Sequence, residues 1–572
     1  MPTTPTPVDR SIRTPRAALA ILFLATLAAC GGGGGGDAPA SPPTSGNPAP
    51  PPPPAARFTI TLAQERAVVL QGAATVVQAR VEREAGFDEP VTIELAGLPP
   101  GTSASPVIVP AGASEVNLTI AADAAAAHSL PTGASATGRA GALSASKPLT
   151  VTVRGLPGAV DTSFAGGSVI TPVDGGEDFA HAVAVQADGK VLVAGASSGV
   201  NGTRLSIVRY TRDGVLDPGF GNGGKVLTSL APAGLRADDR AAAIVVQPDG
   251  KIVVAGSSQQ GDGAGRGLDF ALVRYHADGS LDAGFGNGGV VLTDLGSTSD
   301  RAHALVLMPD GKIVAGGETH TGTTAGGVDF ALVRYRADGT PDAGFGQGGK
   351  VVTPLKSGNG TDIVRALAVQ TINGGHRVLA VGGDGDFQAA RYTDAGALDA
   401  SFGAGGKVSG LFGSNIGSAY AVTLLPGGEA VLAGHVGHDF AAAQLTPDGR
   451  LDPRFGAARD GRIRHAVSSS NWDEATAIVR QADGRLLLGG WVMSGLGSAG
   501  DFAALRLNAD GSVDGGFGQA GVTVQPMAAG TRNDMAHGVV LQSDERIPAV
   551  RALIGGEASG SNHDFALTRL WL

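Results

Sequence analysis

A chain of 572 residues with 91 Gly and 33 Pro exceeds one ordinary domain and favours many turns and short strands over long helices. Its formal net charge is -10 and it has no block of Lys or Arg, which argues against a phosphate-tracking surface and against nucleic acid as a partner. The single cysteine leaves no disulfide within the chain.

The N-terminus carries Arg10, Arg13 and Arg16, then the apolar run AALAILFLATLA from Ala17 to Ala28, then Ala29 and Cys30. That run suits a signal-peptide core and is too short for a membrane span of about 20 residues. Leu27-Ala28-Ala29-Cys30 resembles the lipobox of bacterial lipoproteins. The resemblance implies that residues 1–29 are a signal peptide, cut before Cys30, whose sulfur carries diacylglycerol. Gly31 after the cysteine resembles the outer-membrane sorting pattern, so the expected location is the cell envelope, lipid-anchored at the outer membrane and either periplasmic or surface-exposed. Residues 30–56 read as a tether: Gly31 to Gly36 are flexible, and the Pro-rich stretch that follows favours extended polyproline II. At ~3.1 Å per residue it reaches up to ~60 Å from the lipid.

From 57 to 155 the pattern turns to alternating strands: VTIEL at Val91 to Leu95, VNLTI at Val116 to Ile120 and LTVTV at Leu149 to Val153. Period-two alternation broken by turns such as Leu98-Pro99-Pro100-Gly101 predicts an antiparallel sandwich. The run GFDEPVTIELAGLPPGTSASP resembles bacterial immunoglobulin-like (Ig-like) modules that serve as spacers.

Residues 157–572 are an internal repeat. A Leu-Asp-x-x-Phe motif places Asp161, Asp217, Asp282, Asp342, Asp399, Asp452 and Asp514 between 53 and 65 residues apart, each followed by a phenylalanine from Phe164 to Phe517. Each unit predicts four short strands: an Ala/Val-rich one, a KIVVAG-like one, a FALVRY-like one and a GKVLT-like one. Asp-Gly between the first two is a tight-turn signal. Near-continuous apolar runs mean that both faces of each sheet are covered, which stacking sheet against sheet around a ring achieves. The expected fold is therefore all-β, a seven-bladed β-propeller preceded by an Ig-like β-sandwich. The repeats resemble the delta-60 repeat family, bacterial sequences assigned to β-propellers; the resemblance implies a fold and no activity. The first GKVLT-like strand, Ser168 to Thr171, lacks inner partners ahead of it, and the chain stops after Phe565 to Leu572. These two are expected to pair and close the ring.

Two of the four links in each unit are nearly invariant and two vary freely, so recognition is expected on the variable-loop face. Asp178, Asp239, Asp300, Asp362, Asp473 and Asp534 share one position there, with Gly417 in the fifth unit. Two readings stand: an acidic rim for cations or a basic partner, or carboxylates that cap their own turns. The recurrent Arg209, Arg274, Arg334, Arg391, Arg506 and Arg569, with Gln444 once, read as structural partners of the Leu-Asp aspartates. His181, His303 and His537 share a position at which other units carry Ala242, Arg365, Tyr420 and Thr476. If the Ala-rich strand is innermost, these imidazoles approach the channel mouth, where three histidines hold a zinc with one open position. No His-Glu-x-x-His, P-loop or dinucleotide fingerprint occurs, and no catalytic residue is assigned.

The preferred expectation is a non-enzymatic binding or scaffolding module on the envelope, monomeric, with a protein or glycan ligand on the variable-loop face. The alternatives are an envelope lyase or hydrolase with a divalent cation at the channel mouth, and an outer-membrane assembly factor resembling in plan the propeller lipoprotein of the barrel-assembly machinery.

Overall fold

The computed structural model describes residues 57–572 except 233–235, 260–266, 321–326, 357–359, 373, 469–471, 494–499, 528–532 and 547–548. Cys30, the leader and the tether lie outside the described residues. Regular structure among the described residues is β throughout, apart from one 3-10 turn at Ala165–Gly167.

The first strands form two sheets, ordered Phe58–Leu62, Ala74–Arg83, Glu115–Ala122, Thr102–Ser103 and Arg66–Leu70, Leu143–Arg154, Thr132–Ala140, Val91–Ala96, Val107–Val109. Alternation along these strands buries one face of each, and Phe58, Val77, Val91, Ile93, Ile120 and Val151 fill one shared core.

Beyond Arg154 the chain repeats a four-stranded antiparallel sheet. The first comprises Asp178–Val185, Val191–Gly199, Gly202–Tyr210 and Lys225–Thr228, and the second Ala237–Val246, Ile252–Gln259, Leu268–Tyr275 and Val290–Thr293; a short parallel pairing of Gly202 and Thr203 with Ala237 and Asp238 joins these two into one eight-stranded sheet. Further sheets begin at Asp300–Leu307, Val364–Ile372, Gly417–Leu424 and Asp473–Arg480. The middle strands are buried on both faces, as Val191 to Ala196 illustrates, because each sheet is covered by the next. Every first strand touches the first strand of the next sheet, and Met535–Asp544 in turn touches Asp178–Val185. The succession thus returns to its start.

The recurrent arginine, aspartate and phenylalanine bind neighbouring sheets together. Arg274, Arg334, Arg391, Arg506 and Arg569 donate from Nε to Asp282, Asp342, Asp399, Asp514 and Asp161 at 2.7–3.0 Å, and Arg209 forms the equivalent ion pair with Asp217 at 2.8 Å. Gln444 makes the equivalent bond to Asp452 at 2.9 Å. Each of these guanidiniums lies 4.5–4.8 Å over the phenylalanine of its motif. It also reaches forward: Nη1 of Arg334 donates to the carbonyl of Asp394 in the next repeat at 2.7 Å, and Arg209 and Arg391 do the same to Ala277 and Pro447.

These pairs predict a pH dependence. Burial raises Asp282, but the Lys251 ammonium, the Gly284 N–H and the Arg274 guanidinium outweigh it and hold the carboxyl at about 2. Arg454 holds Asp452 at about 2 as well, and Asp217, Asp342 and Asp399 are also lowered against burial by their cationic and N–H partners. A carboxylate depressed on folding adds stability above its unfolded value near 3.9, and that stability is lost as pH falls through the folded value. Burial raises Asp178 and Asp239, which work in the opposite sense. The thermal midpoint should therefore hold down to about pH 4 and fall steeply between about pH 4 and 2. A midpoint unchanged across that window would show that these pairs contribute nothing.

Closure follows the expected pairing. Ser168–Thr171 lies antiparallel to the last strand, with Ser168 opposite Thr568 and Thr171 opposite Phe565. Asp161 N–H donates to Arg569 O at 2.7 Å, and Gly158 N–H to Trp571 O at 2.8 Å. The last strand also meets the sandwich. The Trp571 indole donates to His128 Nδ1 at 3.1 Å and lies 5.2 Å beneath the Arg154 guanidinium. Gly155 is required here, since a Cβ would stand 2.5 Å from the Trp571 ring.

Candidate functional site

One irregularity recurs in every repeat. The pairing of first and second strand slips by one residue, leaving His181, Ala242, His303, Arg365, Tyr420, Thr476 and His537 unpaired in the successive bulges. A bulge re-aims the side chain it carries. All seven of these residues line a single cavity of about 560 Å³.

A glycine in the second strand makes each bulge possible. At Gly195, Gly256, Gly317 and Gly382 a Cβ would fall 1.8 Å from the carbonyl oxygen of Phe179, Arg240, Arg301 and Ile363, and Gly434, Gly490 and Gly556 are equally tight at 1.9 Å. The glycine after the apolar run of the KIVVAG-like strand is therefore part of the site. It is the sequence signal that marks the bulge.

The cavity adds residues that the repeat alone did not single out. Arg240 and Arg301 stand two positions before the bulge, as does Glu474, and Trp491 comes from a second strand. Arg301 pairs with Glu318 at 3.0 Å. Burial would raise the Glu318 carboxyl, but His303 and Arg301 outweigh it and hold it at about 2. Arg365 lies 5.5 Å over the Tyr420 ring and has no carboxylate partner among the described residues; its Nε, closed off from solvent, has no hydrogen-bond acceptor. Tyr420 continues into an aromatic wall, stacked on His435 at 5.7 Å, with Trp472 beyond. Burial, with Glu474 beside it, raises the Tyr420 phenol and keeps it protonated. One side of the cavity thus offers free positive charge and ring faces.

The opposite side gathers histidines. The His181 and His537 rings are 5.7 Å apart, and burial, reinforced by His537, pushes His181 down to about 4. His537 Nε2 lies 3.5 Å from Glu557. Nitrogen or oxygen atoms of His181, His537 and Glu557 all fall within 4.8 Å of one another. His303 is not in that group: it faces Glu318 at 3.6 Å. The cluster brought together is two histidines and a glutamate rather than three histidines, because the third imidazole stands beside the carboxylate of its own hairpin, apart from the other two.

The shared acids take another place. Asp178, Asp239, Asp300, Asp362, Asp473 and Asp534 are at most 1% exposed and do not line the cavity. Each accepts a backbone N–H from the preceding loop, that of Val173, Leu230, Leu295, Leu355, Val467 or Met527, at 2.6–2.9 Å. They form no exposed acidic rim, because their oxygens turn into the loop they organise. Where Gly417 lacks the carboxylate, Asp386 supplies it and accepts from Phe412 and Gly413 instead. Asp269, Asp294 and Asp300 do cluster within 4.8 Å, at one place among the described residues.

The DUF5122 beta-propeller domain, a domain of unknown function, matches the chain at residues 186–220, 247–285, 309–345 and 481–517. No curated protein matches. Among solved structures, a DUF4784 family protein from Bacteroides caccae is 9% identical, covering 73% of this chain and 97% of its own with a TM-score of 0.26. Domains 5-6 of the S-layer protein SbsC are 14% identical, covering 41% of this chain and 94% of their own with a TM-score of 0.13. The central region of this all-β chain is therefore built from DUF5122 beta-propeller repeats.

Proposed function

We propose that the chain is an exported envelope protein, lipid-anchored through Cys30, whose Ig-like sandwich carries a seven-bladed propeller that binds ligand without catalysis. The seven-bladed reading rests on the succession of first strands that returns from Met535–Asp544 to Asp178–Val185. One observation carries the binding reading. Sheets that otherwise repeat differ at the bulge, which presents His, Ala, His, Arg, Tyr, Thr and His to one cavity. Constant scaffold with variable lining is how a repeat protein builds a site used once.

The ligand class follows from the lining. The unpaired Arg365 beside Tyr420 suits a carboxylate attached to a ring, and the volume suits one or two sugar rings. An acidic glycan fits best. Titration calorimetry of the full chain with a short uronic acid oligosaccharide should show one site per chain, and the carboxyl-reduced oligosaccharide should bind far more weakly. Arg365→Gln should lower affinity about 10- to 100-fold, the loss of one charged hydrogen bond. No binding, or equal binding by the variant, would overturn the proposal. The histidine and glutamate cluster favours a second reading, a metal-dependent lyase or hydrolase, which turnover of the same oligosaccharide would reveal.

A further inference from the structure

We infer that His181, His537 and Glu557 form a binding site for a first-row divalent metal ion, best suited to zinc, which bridges the first and last repeats of the closed succession. This goes beyond the glycan reading and does not depend on it.

The donors come from both ends of the repeat region. His181 is the bulge residue of the first repeat, His537 that of the last, and Glu557 lies on the second strand of the last sheet. Around a tetrahedral ion with bonds of ~2.1 Å, neighbouring donor atoms lie about 3.4 Å apart. His537 Nε2 and the Glu557 carboxylate already stand 3.5 Å apart, too far for a hydrogen bond and at the spacing of two ligands on one ion. The third donor is within 4.8 Å, so a side-chain rotation of roughly an ångström completes the set.

A second observation points the same way. Glu557 is 4% exposed, and its Oε2 has no hydrogen-bond partner, nor does His537 Nε2, though both atoms are shut off from solvent. Buried carboxylates left without a partner are costly, and an ion would satisfy both atoms at once. Two imidazoles with one carboxylate suit zinc and its neighbours rather than calcium or magnesium, which prefer all-oxygen sets. The sequence carries the same pairing. Only the third and seventh repeats join a bulge histidine to a glutamate after the second-strand glycine, His303 with Glu318 and His537 with Glu557. In the third repeat Arg301 already occupies Glu318. In the seventh the residue equivalent to Arg301 is Met535, which cannot pair, and that carboxylate stays available.

The ion would tie the first sheet to the last at the cavity, on the inner side of the same closure that Ser168–Thr171 makes at the outside. The remaining coordination position would face the cavity.

The test is equilibrium dialysis of the chelator-treated full chain against zinc, with metal counted by elemental analysis, together with the absorption spectrum of the cobalt form. One zinc per chain is expected, with a raised thermal midpoint and a cobalt spectrum of low-symmetry coordination. Glu557→Gln and His537→Asn should each weaken zinc more than about 100-fold, beyond the cost of losing an outer-shell partner. His303→Asn should keep both stoichiometry and affinity. Circular dichroism separates a variant that fails to fold from one that folds without metal, and His181→Asn gives a third variant to decide the matter. No stoichiometric zinc in the folded wild-type chain, or folded variants that bind it unchanged, would overturn the site while leaving the glycan reading intact.

Discussion

Removing the last eight residues, Phe565 to Leu572, is expected to unfold the whole succession of repeat sheets rather than fray one end. That segment lies in the third strand of the last sheet and, among the described residues, is the only strand that pairs with Ser168–Thr171. Phe565, Leu567, Leu570 and Trp571 are each at most 1% exposed. Burial of each contributes roughly 1.5–3 kcal/mol, so the deletion removes on the order of 6–12 kcal/mol, comparable with the whole stability of a folded domain. It also leaves Asp161 buried without Arg569, and two sheet edges open. Thermal unfolding followed by near-ultraviolet circular dichroism should show the cooperative transition lost or lowered by tens of degrees. A midpoint within a few degrees of the parent would mean that the ring is held elsewhere.

The second large effect is local in sequence and affects the site as well as stability. Gly256→Ala would place its Cβ 1.8 Å from the carbonyl oxygen of Arg240. That oxygen belongs to the backbone beside the bulge, so no rotamer relieves the overlap; either the bulge flattens or the two strands part. The expected cost is about 3 kcal/mol or more, at the upper end for overpacking. Relief by flattening would shift Ala242 and Arg240 away from the cavity, so ligand affinity should fall together with stability. Gly288→Ala is the comparison: nothing lies within 4 Å of its Cβ, and its φ of +63 sets the only penalty. Equal urea midpoints for the two variants would contradict the role given to the bulge glycines.

Much of the fold was legible because the chain repeats. Asp161 to Asp514 fixed the phase of the strands, and the order from Ala-rich to GKVLT-like strand reappears in every sheet. Closure was legible for the same reason, since Ser168–Thr171 was an outer strand with no sheet of its own. The site was only half legible. His181, His303 and His537 stood out by replacing each other at one position, and all three do reach the cavity. Their true neighbours did not, because a bulge is one residue of slip, and Ala180-His181-Ala182 reads as ordinary alternation until the second-strand glycine is placed opposite it. Glu557 was invisible for a related reason: it sits on a different strand, and only register brings it to His537. The shared aspartates show a further limit. A carboxylate that opens a strand has the same sequence signature whether it faces solvent or folds back on its loop; only the N–H groups of Val173 and its equivalents decide it.

The central claim is that the bulge positions of the first and last repeats meet side by side at one cavity. It is tested most directly by cysteines placed at His181 and His537 in a Cys30→Ser background, treated with a short bifunctional maleimide and digested for mass spectrometry. The rings of the native residues are 5.7 Å apart, so the account predicts a single cross-linked peptide pair joining residues 181 and 537 within one chain. Recovery of both cysteines only as separately capped peptides, from protein that is folded, would contradict it.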